Sequence, residues 1–328
     1  MFDTKFDVIA VGSSTRDVFL KSSGVEIRKH ADSPTGIEQC FPLGSKIEIK
    51  EIVFTTGGGA NNAIVTFARQ GFKTACVSVL GKDNSAQEII EELNHEGVST
   101  NFMQLHGDDF TAYSTILVNP SGERTIFSYK GEGQHFNSKE IPVKKFKTKW
   151  LFLDSLGGHY DLYEKLVNFG VKNNIKIASN PGGKEIGHGL EKLVSVFKNI
   201  DVVSMNQEEA AGLLGVNYAN GGVAKKLHEF VKDILIITDG PKGSIVIDGG
   251  GKEYRAGVPD SPIIERTGAG DAFASGFVCE YMKSGSIEKA IQFATANASS
   301  VVTKFGGKEG ILKKGDWGPW PLVEVETH

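Results

Sequence analysis

The chain has little cysteine and no long apolar run. Its three cysteines, Cys40, Cys76 and Cys279, are scattered, so neither a disulfide framework nor a cysteine zinc site is expected. No apolar segment approaches the roughly 20 residues that cross a bilayer. The first residues also lack the basic and then apolar pattern of a secretory signal. We therefore expect a cytoplasmic protein without a membrane partner.

An excess of one charge is also lacking. The 328 residues include 36 Lys and Arg against 40 Asp and Glu, which gives a formal net charge of −4. Proteins that bind nucleic acids usually carry a strongly basic surface, so no nucleic-acid partner is expected. Glycine is frequent, with 40 residues, and Pro and Ser do not cluster with it. This pattern favours tight turns over disorder.

The usual nucleotide and metal motifs are missing as well. No G-x-x-x-x-G-K-[ST] loop occurs, because Gly81-Lys82 and Gly183-Lys184 lack both its spacing and its hydroxyl. The first predicted strand ends in the single glycine Gly12, so it carries no dinucleotide fingerprint. No two histidines have the H-x-x-x-H spacing of a metallohydrolase. Any phosphate site must therefore be built differently.

A Gly-Ala-Gly turn before a helix offers such a site. Residues 268–270 present bare backbone N–H groups, and Phe273, Phe277 and Tyr281 repeat at a spacing of four, which predicts a helix directly after them. A helix N-terminus carries unpaired amides and a partial positive charge, which attract an anion. Asp271 lies at the same place, where a carboxylate can act as a base on a hydroxyl. The plain alternative is that Asp271 only caps the helix.

The order of the predicted elements indicates an α/β fold. From residue 150 onward strands and helices alternate, which predicts a mainly parallel sheet with helices on both faces. Earlier, residues 22–45 are predicted to be irregular and residues 46–55 to form an exposed strand. Residues 110–129 are predicted to form a hairpin that turns at 119–122. These exposed strands are too few for a core of their own and are interpreted as a flap on the larger body.

The residues of this turn and several earlier stretches resemble one family. Residues 267–273, Thr-Gly-Ala-Gly-Asp-Ala-Phe, are similar to the C-terminal signature of the ribokinase-like (PfkB) carbohydrate kinases. Further stretches agree with that family in the same order over roughly residues 6–310: Gly12 with Asp17, Gly57-Gly58-Gly59-Ala60-Asn61-Asn62, Gly81-Lys82-Asp83, Asn180-Pro181, Asn206-Gln207-Glu208-Glu209 and Thr238-Asp239-Gly240-Pro241-Lys242-Gly243. So many matches in order make coincidence improbable.

The resemblance implies a ribokinase-like three-layer sandwich with a small β-strand lid, and a kinase that uses ATP and Mg²⁺ to phosphorylate a sugar-type hydroxyl. Asp271 would be the base, and the amides of Gly268, Ala269 and Gly270 would stabilise the developing negative charge. The resemblance implies these further contacts: Asp17, Gly57, Gly58 and Asn62 with the acceptor; Asn180, Asn206, Thr238, Gly240, Gly243 and Asn297 with the nucleotide; and Glu209 with Mg²⁺ through water. The expected parts are residues 1–12, 57–100 and 132–312 for the body, 13–56 and 101–131 for the lid, and 313–328 for a C-terminal tail.

Each assignment has a plain alternative. Asp17 could cap a turn, residues 57–59 could be only a tight turn, Glu209 could be a capping charge, and Asn297 could be an ordinary helix position. The chain also has Glu265 and Arg266 where the family usually has Asp and Thr. Relatives build a monovalent-cation site with that acid, so a dependence on K⁺ through Glu265 stays open.

The acceptor itself is left open by the sequence. A nucleoside kinase shares every motif named above, and it needs aromatic or apolar side chains to stack a base, for which Phe41, Phe110 and Tyr113 are available. A non-catalytic sugar- or nucleotide-binding regulator on the same fold is the third alternative, and the presence of Asp271 argues against it. Arg266 either faces the surface and pairs with Glu265 or Asp260, or reaches phosphate oxygens. Lid edges in this fold can pair between subunits, so a homodimer is a further expectation.

Overall fold

A large mixed sheet forms the body of the protein. The computed structural model describes residues 6–22, 26–31, 36–119, 124–217 and 222–328. From one edge to the other, the nine strands of the large sheet are β17 (Val325–Thr327), β16 (Glu253–Ala256), β15 (Ser244–Ile247), β14 (Ile234–Thr238), β13 (Val202–Asn206), β12 (Lys176–Ser179), β11 (Thr148–Leu153), β1 (Phe6–Val11) and β6 (Thr74–Val77). The six strands from β14 to β6 are parallel, and the three at the other edge are antiparallel.

Helices cover both faces of this sheet, as predicted. Because successive strand residues point to opposite faces, Ile9 and Val11 join one buried cluster while Val8 and Ala10 join the other. The helices are, on the first face, α3 (Tyr160–Lys172), α5 (Leu190–Phe197), α6 (Gln207–Leu214) and α7 (Val223–His228), and on the second face, α1 (Gly59–Arg69), α2 (Asn84–His95), α8 (Ala269–Ser284) and α9 (Ile287–Val301). A short helix, α4 (Gly183–Ile186), follows β12. The three-layer α/β prediction is confirmed.

A second, four-stranded sheet forms a lid at one end of the body. Its strands are, in order, β10 (Arg124–Tyr129), β9 (Tyr113–Val118), β2 (Thr15–Lys21) and β5 (Glu51–Gly57). The predicted hairpin is confirmed by the antiparallel pairing of β9 with β10, while most of its predicted turn, residues 120–122, lies outside the described residues. Two short strands, β7 (Val79–Gly81) and β8 (Gln104–His106), form a separate parallel pair.

Two predictions about the chain are corrected by these strands. Residues 22–45 were expected to be irregular, but β3 (Glu26–Lys29) and β4 (Ile37–Cys40) pair there as an antiparallel ribbon. Both strands are largely exposed, so they lack the alternation of apolar and polar residues that identifies a half-buried strand. The predicted strand over 46–55 begins only at Glu51. In the predicted tail, β17 adds an edge strand to the large sheet, and the domain boundaries themselves remain predictions.

No helix within the described ranges has the length and apolar character that crossing a membrane requires.

Candidate active site

The carboxylate of Asp271 lies at the meeting point of three distant segments. It belongs to the first turn of α8. Asn62 from α1 donates from Nδ2 to Asp271 Oδ2 at 2.8 Å, and Asn180, which follows β12, donates from Nδ2 to Asp271 Oδ1 at 3.4 Å. Burial raises the pKa of Asp271, and the hydrogen bond from Asn62 acts in the opposite direction. The structure therefore brings together a predicted base and two predicted ligand residues.

The turn before Asp271 has the geometry of an anion site. Gly268 has a φ of 77°, and a Cβ atom there would lie 2.5 Å from Gly307 Cα, so only glycine fits. Within the described ranges, no backbone acceptor faces the amides of Gly268 and Gly270. The amide of Ala269 differs, because it donates to the carbonyl of Arg266 at 3.4 Å. The N-terminus of α8 thus presents free amides beside a carboxylate.

A cavity of about 590 Å³ opens between the body and the lid next to Asp271. Of the predicted acceptor residues, Asp17, Gly58 and Asn62 line it. Gly57 does not; instead it makes room for Asp17, since a Cβ atom at Gly57 would lie 1.9 Å from Asp17 Oδ2. Gly57, at the end of β5, thus allows a close approach to β2, and Gly58 allows one to the residues just before β2, Ser13 and Ser14.

Asp17 is held within the cavity wall. Its side chain is buried, and Thr15 Oγ1 donates to its Oδ1 at 2.9 Å. Burial raises the pKa of Asp17, and the hydrogen bonds from Thr15 and Ser114 partly oppose that effect. A carboxylate fixed in this way is suited to accept hydrogen bonds from the hydroxyls of a bound polyol.

A further buried carboxylate, not predicted from the sequence, lies beneath the site. Asp154 directly follows β11, and Ser13 Oγ lies 3.4 Å from its Oδ1. A Cβ atom at Gly59 would lie 2.2 Å from the same carboxylate. Burial, together with the charge of Asp271, raises the pKa of Asp154 well above its ordinary value. The available signal was an acid at the carboxyl end of a buried parallel strand, where ligands of open α/β sheets bind.

A smaller cavity of about 110 Å³ adjoins the anion site on its other side. Thr238, Gly240 and Gly243, which the resemblance assigned to the nucleotide, line it together with residues 269–270. Gly243 has a φ of 93°, and a Cβ atom there would lie 1.9 Å from the carbonyl oxygen of Ala256. The loop after β14 can therefore adopt this path only with glycine at that position.

Asn297 does not line this cavity, which corrects its assignment to the nucleotide. It is fully buried; its Nδ2 donates to the carbonyl of Ala272 at 2.9 Å, and its Oδ1 accepts from the amide of Leu312 at 2.9 Å. The residues of α9 that line the cavity are Thr295, Ala298 and Ser299. Asn297 thus ties α9 to α8, because its polar atoms point to the opposite side of the helix.

Asn206 and Glu209 form a capping box at the start of α6. Asn206 Oδ1 accepts from the amide of Glu209 at 2.8 Å, and Glu209 Oε2 accepts from the amide of Asn206 at 2.9 Å. The capping alternative is therefore present in the structure, and Glu209 Oε1 lies outside that pair. Burial raises the pKa of Glu209, with a contribution from the charge of Asp271. Within the described ranges, no group of three or more His, Cys, Asp or Glu side chains could hold a metal by itself.

Glu265 is a structural acid between two loops. It is buried, accepting from the amide of Thr267 at 2.6 Å and from that of Gly306 at 3.2 Å. Burial raises its pKa. Since both oxygens hold amides, Glu265 does not pair with Arg266, and the expected surface pair is not formed there. The Arg266 side chain is exposed and lies outside both cavities.

Comparisons with known proteins agree with this architecture. The family model described as pfkB family carbohydrate kinase matches residues 36–314. A ribokinase of Haemophilus influenzae is 29% identical over 78% of this chain and 83% of its own length. A cytidine kinase of Thermococcus kodakarensis is 26% identical over 81% of this chain and 92% of its own length. Two solved structures share the fold. Arabidopsis thaliana ribokinase complexed with ribose and ATP has a TM-score of 0.74 and 19% identity, and the match covers 94% of this chain and 96% of that one. Methanocaldococcus jannaschii nucleoside kinase has a TM-score of 0.71 and 23% identity, with 94% of this chain and 95% of that one covered.

The matched region covers most of the chain and contains Asp271, the free amides, the smaller cavity and most of the residues that line the larger one, whose Ser13, Thr15 and Asp17 precede it. Kinases of this family transfer a phosphoryl group from ATP with a divalent metal, and the relatives act on sugars or nucleosides, as their names state. The chain belongs to the PfkB family of carbohydrate kinases and is an ATP-dependent phosphotransferase that acts on a hydroxyl group.

Proposed function

We propose that the acceptor is a sugar or sugar-like polyol and not a nucleoside. The observation that carries this proposal is the lining of the 590 Å³ cavity, in which the described residues include no aromatic side chain and are mostly polar or glycine, with Ala112, Ile116 and Ile126 as the apolar ones. Phe110 and Tyr113, which were available for stacking a base, line a different cavity, and Phe41 lines a third. Carboxylates, amides and small hydroxyls are the groups that recognise a polyol by hydrogen bonds.

Asp271 accepts the proton of the attacking hydroxyl in this proposal. Its carboxylate faces the acceptor cavity, and Asn62 and Asn180 hold it in place. A positioned base contributes about 10²–10⁴-fold to a rate. The amides of Gly268 and Gly270 at the N-terminus of α8 stabilise negative charge on the transferred group, which is the larger requirement of phosphoryl transfer.

The acceptor is oriented by residues on both sides of the cavity. Asp17 and Asn62 accept and donate hydrogen bonds to its hydroxyls, and the bare backbone at Gly58 lets the molecule approach α1 closely. Ser114 and Ile116 on β9 line the lid side. Closure of the lid over the acceptor excludes water, which would otherwise compete as the attacking hydroxyl.

Thr238, Gly240 and Gly243 border the nucleotide in the smaller cavity, and Asn180 and Asn206 are proposed to face its phosphates. Mg²⁺ supplies charge neutralisation of the phosphates when it is bound, and it keeps several of its waters. Glu209 is suited to bind the hydrated Mg²⁺, because the capping box uses only its Oε2 and leaves Oε1 available. Glu265 is the residue through which K⁺ would act, and a titration of activity with KCl against NaCl tests that dependence.

The outer surface of the lid is proposed to pair two copies of the chain. Strand β5 is an edge of the four-stranded sheet, and its Ile52 and Phe54 are 52% and 57% exposed. An exposed apolar edge strand is a ready surface for pairing. Light scattering should give a dimer mass for the parent and a monomer mass for Phe54→Asp. The control is Phe110→Ser, an apolar-to-polar change at another exposed phenylalanine outside that edge, which should leave the dimer intact.

The acceptor class is tested by coupled ADP release over pentoses, hexoses, their phosphates and nucleosides, with ATP and MgCl₂. We expect turnover with one or more sugars at a kcat/KM at least about tenfold above that of any nucleoside, a difference of roughly 1.4 kcal/mol. A nucleoside as the best acceptor would overturn the assignment to sugars while keeping the kinase. Binding of sugar and ATP without turnover would favour the non-catalytic alternative.

A further inference from the structure

Two lysines line the acceptor cavity, one from each of its walls. Ile126, Ser128 and Lys130 face it from β10 and the residue that follows this strand. Their spacing of two is that of side chains on one face of a strand. Lys184 lines the opposite wall from α4 in the body. Each wall of the site thus contributes one ammonium group.

Neither ammonium group is neutralised by the protein. Within the described ranges, no carboxylate lies at ion-pair distance from Lys130 or Lys184, and the hydrogen bond of Lys184 Nζ, at 3.1 Å, is to the uncharged Gln134 Oε1. The acids next to them in the chain accept hydrogen bonds from backbone amides instead. Glu132 accepts from the amide of Asp109 at 2.8 Å, and Glu185 accepts from the amides of residues 156 and 158 at 3.0 and 2.6 Å.

The two acids of the cavity are also already held. Asp17 accepts from Thr15, and Asp271 accepts from Asn62. A neutral sugar would use these carboxylates through its hydroxyls and would leave both lysines without a charged partner. A carboxylate or phosphate on the acceptor would instead accept charge-assisted hydrogen bonds from both ammonium groups.

We propose that the acceptor is an anionic sugar, an aldonic acid or a sugar phosphate, whose charged group is bound jointly by Lys130 and Lys184. This inference rests on the proposed function as a sugar kinase, and it names the substrate class of that site. The hydroxyl that is phosphorylated lies at Asp271, and the charged group lies at the part of the cavity that the two lysines line.

The placement of the lysines also connects recognition to lid closure. Lys130 directly follows the lid strand β10, and Lys184 belongs to helix α4 of the body. Directly after Lys130, Gly131 has a φ of 43°, and a Cβ atom there would lie 2.1 Å from the carbonyl oxygen of Phe110, so only glycine fits at the end of this strand. An anion bound to both lysines therefore holds the lid against the body, which a neutral sugar does less well.

The test compares matched neutral and anionic acceptors: glucose with gluconate, fructose with fructose 1-phosphate, and ribose with ribose 1-phosphate. The variants are Lys130→Gln, Lys184→Gln and the double variant. Lys144→Gln is the control, since it removes the same charge from an exposed position outside the cavity. In the parent we expect kcat/KM for one anionic acceptor to exceed that of its neutral partner by at least about tenfold. Each lysine substitution should lower kcat/KM for the anionic acceptor about tenfold, the factor typical of one hydrogen bond to a charged group.

In every variant, activity on the neutral partner should fall by a smaller factor than activity on the anionic one, because a bond from an ammonium group to a hydroxyl lacks the second charge. A preference for neutral sugars, or equal losses for both partners, would overturn the inference and leave the sugar kinase intact. A rise in KM for ATP alone would assign the lysines to the nucleotide and would also overturn it. A nucleoside as the best acceptor contradicts the proposed function itself.

Direct binding decides the role of the lysines even where no turnover is seen. Titration calorimetry of gluconate and fructose 1-phosphate, with the parent and the double variant and without ATP, measures the anion site alone. We expect at least about a tenfold weaker Kd in the double variant. Equal binding by the parent, the double variant and Lys144→Gln would overturn the inference.

Discussion

Lys308 Nζ lies 2.6 Å from Glu92 Oε1 although the lysine side chain is only 1% exposed. The same ammonium group donates to Thr56 Oγ1 and, at 3.1 Å, to Asn61 Oδ1. These bonds join the segment after α9 to strand β5 of the lid and to helix α1, directly behind the acceptor cavity. Burial lowers the pKa of Lys308, and Glu92 opposes that effect.

Lys308→Met is expected to destabilise the protein by about 2–4 kcal/mol, because it leaves buried acceptors without their donor. Urea denaturation measures the loss. The double variant Lys308→Met with Glu92→Gln should recover part of it, because the unpaired acid is then removed as well. A single variant as stable as the parent would show that the buried pair contributes nothing to the fold.

Asp271→Asn is expected to lower kcat by at least about 10²-fold, because the amide keeps the shape of the side chain but cannot take a proton. The Kd for ATP, measured by calorimetry, should stay close to that of the parent. Asp108→Asn, at an exposed position, is the matched control. A kcat within about tenfold of the parent would remove Asp271 from the role of base.

Asn62→Ala is expected to move the acidic limb of the pH profile of kcat/KM to higher pH. The base acts only when ionised, so activity falls as the pH drops through the pKa of Asp271. Burial raises that pKa and the hydrogen bond from Asn62 lowers it, so removing the bond raises the pKa further. Asn180→Ala, whose contact is longer at 3.4 Å against 2.8 Å, should shift the limb less. A shift to lower pH would contradict this account.

Asp154→Asn is expected to raise the melting temperature at neutral pH. The pKa of Asp154 is raised in the folded state, so the protein loses stability as the pH rises from the ordinary value of 3.8 through the folded-state pKa. The amide avoids that loss, and its advantage should disappear near or below pH 3.8. A gain of about 1 kcal/mol in the free energy of unfolding would raise the melting temperature by roughly 2–4 °C in a domain of about this size.

Asp201→Asn is the matched control with the opposite sign. Asp201 is buried as well, but it pairs with Lys176 at 2.9 Å and Lys232 at 2.8 Å, and its pKa is lowered. Its substitution should reduce the melting temperature at neutral pH, with a smaller effect in acid. Equal responses of the two variants would rule out ionisation as the cause.

The sequence determined the α/β class, the order of the buried strands and the turn that carries Asp271. These features are local: buried strands of the body appear as short apolar runs, and a Gly-Ala-Gly turn before an amphipathic helix needs no distant partner to be recognised. Strands β3 and β4 were not predicted, because exposed strands leave no apolar period in the sequence.

Only the tertiary structure decided which polar residues meet. Asp154 reaches the site because its strand ends at the same sheet edge as β1 and β12, and Asn297 leaves it because its side chain lies on the far side of α9. Lys130 and Lys184 carry no motif, and they share one cavity only because the lid folds over the body. Contacts between segments this far apart depend on how sheets and helices pack, which a local pattern of residues does not encode.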